Sequence, residues 1–181
     1  MSNNRISIAE IFEEAQRSFS THKKHLTTLH RLHVSNNQKF ETEFLSLVNR
    51  ILPIYKREAS VERLVKFIVN FVIGDFDGDT ERQHNFANKM LQHLIPGITS
   101  KDKAVRFRSL QLIHGLLSGM QEVDQEVCNA ILPKVVERCF DKIPLVRSQS
   151  VAVLSAFQDP TSKDDTATQE ILNVMENDSS A

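Results

Sequence analysis

The chain has 181 residues, 40% hydrophobic and 25% charged, with a formal net charge of −1. That fits one ordinary globular unit or a short solenoid, and five glycines with five prolines argue against a turn-rich all-β fold. Cys128 and Cys139 make neither a disulfide framework nor a zinc pattern, which points to a reducing compartment; no apolar run approaches the ~18 residues of a membrane span, and the polar N-terminus has no apolar signal core.

Helical periodicity runs through nearly the whole chain. Ser7 with Glu10 forms a capping box ahead of Ile8, Ile11, Phe12 and Ala15. Ser20-Thr21 interrupts the helix, and Leu26, Leu29 and Leu32 form the next stripe. Between Glu14 and Glu41 there is no acid, whereas Arg17, Lys23, Lys24, Arg31 and Lys39 alternate with His22, His25, His30 and His33. Such a single-sign stretch is either a solvated helix face or a surface for a polyanion.

After a break at Asn36-Asn37, Phe40, Phe44, Leu47, Val48, Ile51 and Leu52 form a stripe that ends near Pro53 and Tyr55. Ser60 is expected to cap a helix burying Leu64, Phe67, Ile68, Phe71 and Val72. Residues 74–82 read as an acidic loop. Helices follow around 83–98, from Val105 to about Ser118, around 125–140, and from Val146 to about Phe157, with an acidic turn at 121–124. Asp159-Pro160 stops the last of these; 162–165 is a short linker, and Ile171, Leu172, Val174 and Met175 predict one more helix.

One phrase occurs twice. Val105-Arg106 and Val146-Arg147 are offset by 41 residues, and the same offset maps Ser109 onto Ser150, Leu112 onto Val153 and Ile113 onto Leu154. A period of about 40–47 residues with two helices per unit marks HEAT or armadillo solenoids. The expectation is therefore an all-α HEAT-repeat solenoid of eight or nine antiparallel helices. Helix pairs would occupy 1–73, an acidic loop 74–82, two repeats 83–158, and an acidic linker with a partial repeat 159–181. Asp141 is placed to serve the amides of the second copy's turn, Pro144 suits a helix first turn, Val146 enters the core and Arg147 reaches an acid of the adjacent turn. Arg106 and Arg147 read as framework residues, and Arg108 as the better candidate for outward contact. The closing Asn177-Asp178 resembles the polar turn before the second Val-Arg, which predicts that the chain is a piece of a longer solenoid.

Catalytic and metal patterns are sparse. Asp75-Phe76-Asp77-Gly78-Asp79 opens like a calcium loop, but Thr80 and Phe86 stand where an EF-hand needs Gly and Glu. The pairs His22/His25 and His30/His33 have no cysteine or acid nearby to complete a zinc site. Gly115 and Gly119 mark close helix packing and a helix end. No phosphate-binding glycine loop or nucleophile elbow occurs.

Cations gather instead at two turns. Arg50, Lys56, Arg57, Arg63 and Lys66 bracket one, with Glu58 and Glu62 as partial counterweights; Lys101, Lys103, Arg106 and Arg108 sit at the next. Consecutive solenoid turns line one edge, so these residues can form a stripe that neutralises phosphates without reading sequence. A protein-only adaptor that binds peptides on a concave face remains the alternative.

Tyr55-Lys56-Arg57-Glu58, Val61-Glu62-Arg63, the runs Ala104–Arg108 and Asp141–Arg147, Gln158-Asp159-Pro160 and Glu176-Asn177-Asp178 together resemble the family of G-type HEAT-repeat subunits of condensin, over its N-terminal region. The resemblance implies a non-catalytic subunit without cofactor. It would bind the kleisin of a complex built on SMC ATPases and hold double-stranded DNA in a charged groove during mitotic chromosome condensation. Its place would be the nucleus and chromosome, with cytoplasm outside mitosis. Lys56 and Arg57 match a basic turn that the family uses on DNA; Arg63, Lys66, Arg106 and Arg108 extend that assignment. Family members are much longer, so most of the kleisin-binding surface would lie beyond Ala181.

Overall fold

A computed structural model describes residues 6–76, 78–158, 161 and 165–177. Among these residues there are nine α-helices, one 3-10 turn at Phe19–Thr21 and no strand. The helices are α1 (Ile8–Arg17), α2 (His22–Ser35), α3 (Asn37–Asn49), α4 (Ala59–Val72), α5 (Thr80–Ile98), α6 (Lys103–Leu117), α7 (Gln125–Arg138), α8 (Pro144–Ser155) and α9 (Thr166–Asn177). Asp77, Asp159-Pro160, residues 162–164 and 178–181 lie outside the described residues, and with them the expected stop after α8, most of the linker and the end of the chain.

Local chemistry sets the helix starts. The Glu10 amide donates to Ser7 Oγ at 3.2 Å and the Ser7 amide donates to the Glu10 carboxylate at 2.7 Å, a reciprocal capping box. Asn36 accepts the Lys39 amide at 3.3 Å and Asp102 accepts the Ala104 amide at 2.7 Å. Asp79 accepts the Arg82 amide at 3.0 Å, so α5 begins inside the stretch read as loop. The helix expected to start at Ser60 begins at Ala59 instead, and Ser60 sits within its first turn without capping it.

Helix α2 turns a different face inward from the one its leucines suggested. Its buried residues are His22, His25, Leu29 and His33, while Leu26 and Leu32 are half-buried. The rings join an aromatic core: His22 lies 5.0 Å from Phe67, and His33 lies 4.8 Å from both Phe40 and Phe86. His22 Nε2 meets the Ala15 carbonyl at 2.9 Å and His33 Nε2 meets Glu41 Oε1 at 3.3 Å. Burial pushes the His33 imidazole below its ordinary value, against the pull of Glu41. Lys23, Lys24, Arg31 and Lys39 remain on the solvent side.

The helices stack in two layers. α4, α6 and α8 pack in succession on one side and α3, α5 and α7 on the other, with α9 against α8. The N-terminal helices depart from simple pairing, because α1 lies along α4 and α2 touches both α3 and α4. Phe12, Phe40, Phe44, Phe67, Phe71 and Phe86 converge there from four helices, all buried. This is a HEAT solenoid.

The 41-residue repeat holds at atomic level. Arg106 Nη1 donates to the Ser100 carbonyl at 2.9 Å, and Arg147 Nη1 donates to the Asp141 carbonyl at 2.9 Å; each arginine thus closes its own corner six residues back. The Asp102 amide donates to Ser100 Oγ at 3.2 Å, as the Ile143 amide donates to Asp141 Oδ1 at 3.0 Å. Pro144 occupies the first turn of α8 and Val146 is fully buried. Asp141 joins consecutive repeats through Arg106, whose Nε and Nη2 reach its carboxylate at 2.7 and 3.0 Å. Burial alone would raise the Asp141 carboxyl, but the bonds from Arg106 and the Ile143 amide hold it below the usual carboxylate range.

Candidate nucleic-acid interface

The α3–α4 corner carries Arg50, Lys56 and Arg57, all exposed. Lys56 Nζ stands 4.0 Å from Glu58 Oε1, an exposed pair that compensates little. The neighbouring Tyr55 ring packs edge-on to Phe107 of α6, 5.8 Å between centroids, and Lys103 Nζ lies 5.0 Å over the Tyr55 ring. The start of α6 therefore adjoins the α3–α4 corner, with Lys103 against Tyr55; Lys101 and Lys103 are both exposed.

Arg63 and Lys66 lie further along α4. Arg63 is half-buried, and its Nε donates to the Gln16 carbonyl at 2.6 Å, tying α4 to the end of α1. Lys66 is exposed, with Nζ 5.6 Å over the Phe19 ring. Both therefore contact the α1–α2 junction, through Gln16 and Phe19.

Arg106 and Arg108 do not face solvent. Arg106 is 5% exposed and engaged by Asp141 and the Ser100 and Lys101 carbonyls. Arg108, expected to point outward, is fully buried between α6 and the α3–α4 corner. Its Nε donates to the Ile54 carbonyl at 2.8 Å, Nη2 to the Lys56 carbonyl at 2.6 Å, and Nη1 to Glu62 Oε1 at 2.7 Å. A guanidinium presents five donors in a rigid fork, and acceptors on the facing corner drew it inward. Neither arginine is available to a phosphate.

Among the described residues, no group of three or more His, Cys, Asp or Glu is disposed to hold a metal ion. Burial pushes the Cys139 thiol up to about 12 and raises the Cys128 thiol as well, so neither offers a thiolate near neutral pH.

No protein-family model matches the chain. Condensin complex subunit 3 of Homo sapiens is 33% identical over 184 residues, covering 96% of this chain and 18% of that protein. Condensin complex subunit 3 of Saccharomyces cerevisiae is 31% identical over 175 residues, covering 84% of this chain and 17% of that protein. Among solved structures, the crystal structure of the S. pombe condensin Cnd3-Cnd2 subcomplex superposes with a TM-score of 0.83 at 29% identity, over 97% of this chain and 22% of that one. The chain belongs to the condensin subunit 3 family. It spans less than a fifth of the length of the two curated relatives.

In this condensin subunit 3 chain, sequence reasoning missed one exposed corner cation and misjudged the partner of Glu62. Lys142 is exposed and stands 41 residues after Lys101, at the equivalent place in the next corner. The repeat offset was the signal that locates it. Glu62, read from the sequence as a counterweight to the corner cations, pairs with Arg108. No linear pattern encodes that orientation.

Proposed function

We propose that the chain is a non-catalytic HEAT scaffold of condensin that holds duplex DNA without reading its sequence. The observation that carries this reading is the row of exposed lysines and arginines at successive corners: Lys56 and Arg57, then Lys101 and Lys103, then Lys142. Cations of one sign at a spacing set by stacked helices neutralise phosphates and release counterions. We extend the row to Lys66, which is exposed, and to Arg63, whose Nε is held by the Gln16 carbonyl. Kinship with condensin subunit 3 supports the wider role: assembly with a kleisin and the SMC ATPases, and work on chromosomes in the nucleus during mitotic condensation.

Equilibrium binding to a mixed-sequence duplex at several salt concentrations tests the reading. Changing Lys56 and Arg57 together to alanine is expected to weaken binding and to reduce the log–log salt slope by about 2, one per lost phosphate contact. A double variant that binds with the parent's affinity and slope would falsify the assignment. Capture of a peptide by a chain that ignores DNA would favour the adaptor alternative.

A further inference from the structure

We infer that Arg108 is a positioning residue for the DNA-contacting corner: from beneath, it fixes the backbone that presents Lys56 and Arg57. The inference rests on the nucleic-acid reading above and adds how the site is held.

Arg108 stands apart from the repeat framework. Arg106 recurs one repeat later as Arg147, whereas the equivalent of Arg108 is Gln149. A fully buried guanidinium is also a costly choice in a helical core, since an apolar side chain of similar volume fills such a place without desolvating a charge. The residue is nonetheless satisfied on every side the corner offers. Nε and Nη2 donate to the Ile54 and Lys56 carbonyls at 2.8 and 2.6 Å. Nη1 is shared between Glu62 Oε1 at 2.7 Å and Gln111 Oε1 at 2.5 Å. Gln111 Nε2 in turn donates to Glu62 Oε2 at 2.7 Å, closing the network.

The target of Nη2 decides the role. The Lys56 carbonyl belongs to the peptide that joins Lys56 to Arg57, so this bond orients the plane between the two cationic residues. The Ile54 carbonyl lies on the other side of Tyr55, whose ring packs on Phe107. The corner between α3 and α4 has no regular structure over residues 54–58, and these contacts from α6 take the place of a ladder. Holding flexible cations in one arrangement before a ligand arrives removes ordering cost from binding. The charge of Arg108 is itself neutralised by Glu62, so its contribution is geometric.

A double-mutant comparison separates positioning from general stability. Binding of a fluorescein-labelled mixed-sequence duplex is measured for the chain, for Arg108→Met, for Lys56→Ala with Arg57→Ala, and for the triple variant. Arg108→Met is expected to weaken binding by about three- to tenfold when Lys56 and Arg57 are present and to change nothing when they are alanine, the signature of coupled residues. Amide exchange at Arg57 is expected to accelerate in Arg108→Met. Equal losses in both backgrounds, unchanged affinity, or unchanged exchange at Arg57 would each overturn the inference while leaving the DNA reading in place. Unchanged affinity of the Lys56/Arg57 variant would overturn the DNA reading itself, and the inference with it. If Arg108→Met does not fold, Gln111→Met loosens the same guanidinium and enters the same comparison with the same expected outcomes.

Discussion

Arg106 and Asp141, 35 positions apart in the chain, meet through two parallel hydrogen bonds of 2.7 and 3.0 Å across the boundary between consecutive HEAT repeats. The pair is buried, and Asp141 also accepts the Ile143 amide, so the carboxylate serves the corner of its own repeat and the arginine of the one before. Breaking a buried pair strands the remaining charge. Asp141→Ala is expected to cost roughly 3–5 kcal/mol in urea unfolding. Replacing both residues by apolar ones is expected to recover part of that loss. The pair also has a pH signature. Because the Asp141 carboxyl sits below its usual range in the folded chain, its contribution is complete above that range and disappears as pH falls through the depressed value.

Gly97 and Ser109 bring α5 and α6 together. A Cβ at Gly97 would overlap the Ser109 side chain. Gly97→Ala is expected to destabilise the chain by about 1–3 kcal/mol through overpacking, and Ser109→Gly in the same chain to restore most of it. Thermal midpoints of the two single variants and the double variant check this.

Four histidines set a second acid sensitivity. Burial depresses His25, His33, His93 and His114 below the ordinary imidazole value. The unfolded chain takes up protons near pH ~6.5 while the folded one resists them, so stability is expected to decline as pH drops below that value. Unfolding midpoints between neutral and mildly acidic pH, compared with those of His33→Phe, should show a shallower decline in the variant. A flat profile in the parent would contradict the buried-imidazole account.

Lys142 extends the proposed DNA edge by one corner. Lys142→Ala is expected to lower the salt slope by about 1 and to leave folding unchanged, because the side chain is exposed. Circular dichroism melting alongside the binding titration separates the two effects.

Much of the fold is legible in linear pattern. The Val-Arg repeat placed α6 and α8 in register, and Ser7 with Glu10 marked the start of α1. Both depend on contacts within a few residues or on a fixed period. The face of α2 was misjudged because imidazoles count as polar in a pattern, yet the His22 and His33 rings pack against phenylalanines from three other helices. At the interface, Lys56 and Arg57 were readable as exposed turn cations. Arg108 was not, since its letter is that of a surface residue and its acceptors come from backbone 52 and 54 positions away. A side chain's destination is then a property of packing between repeats, which a one-dimensional reading does not contain.

Glu62 gives this a practical edge. Residues 56–63 carry Lys56, Arg57 and Arg63 against Glu58 and Glu62, a nearly balanced tally on paper. With Glu62 committed to the guanidinium below it, an approaching polyanion feels a more cationic corner than the tally implies. The charge presented at this corner is thus set by which side chains are already paired inside the fold, and Lys56 and Arg57 meet the solvent with Glu58 beside them.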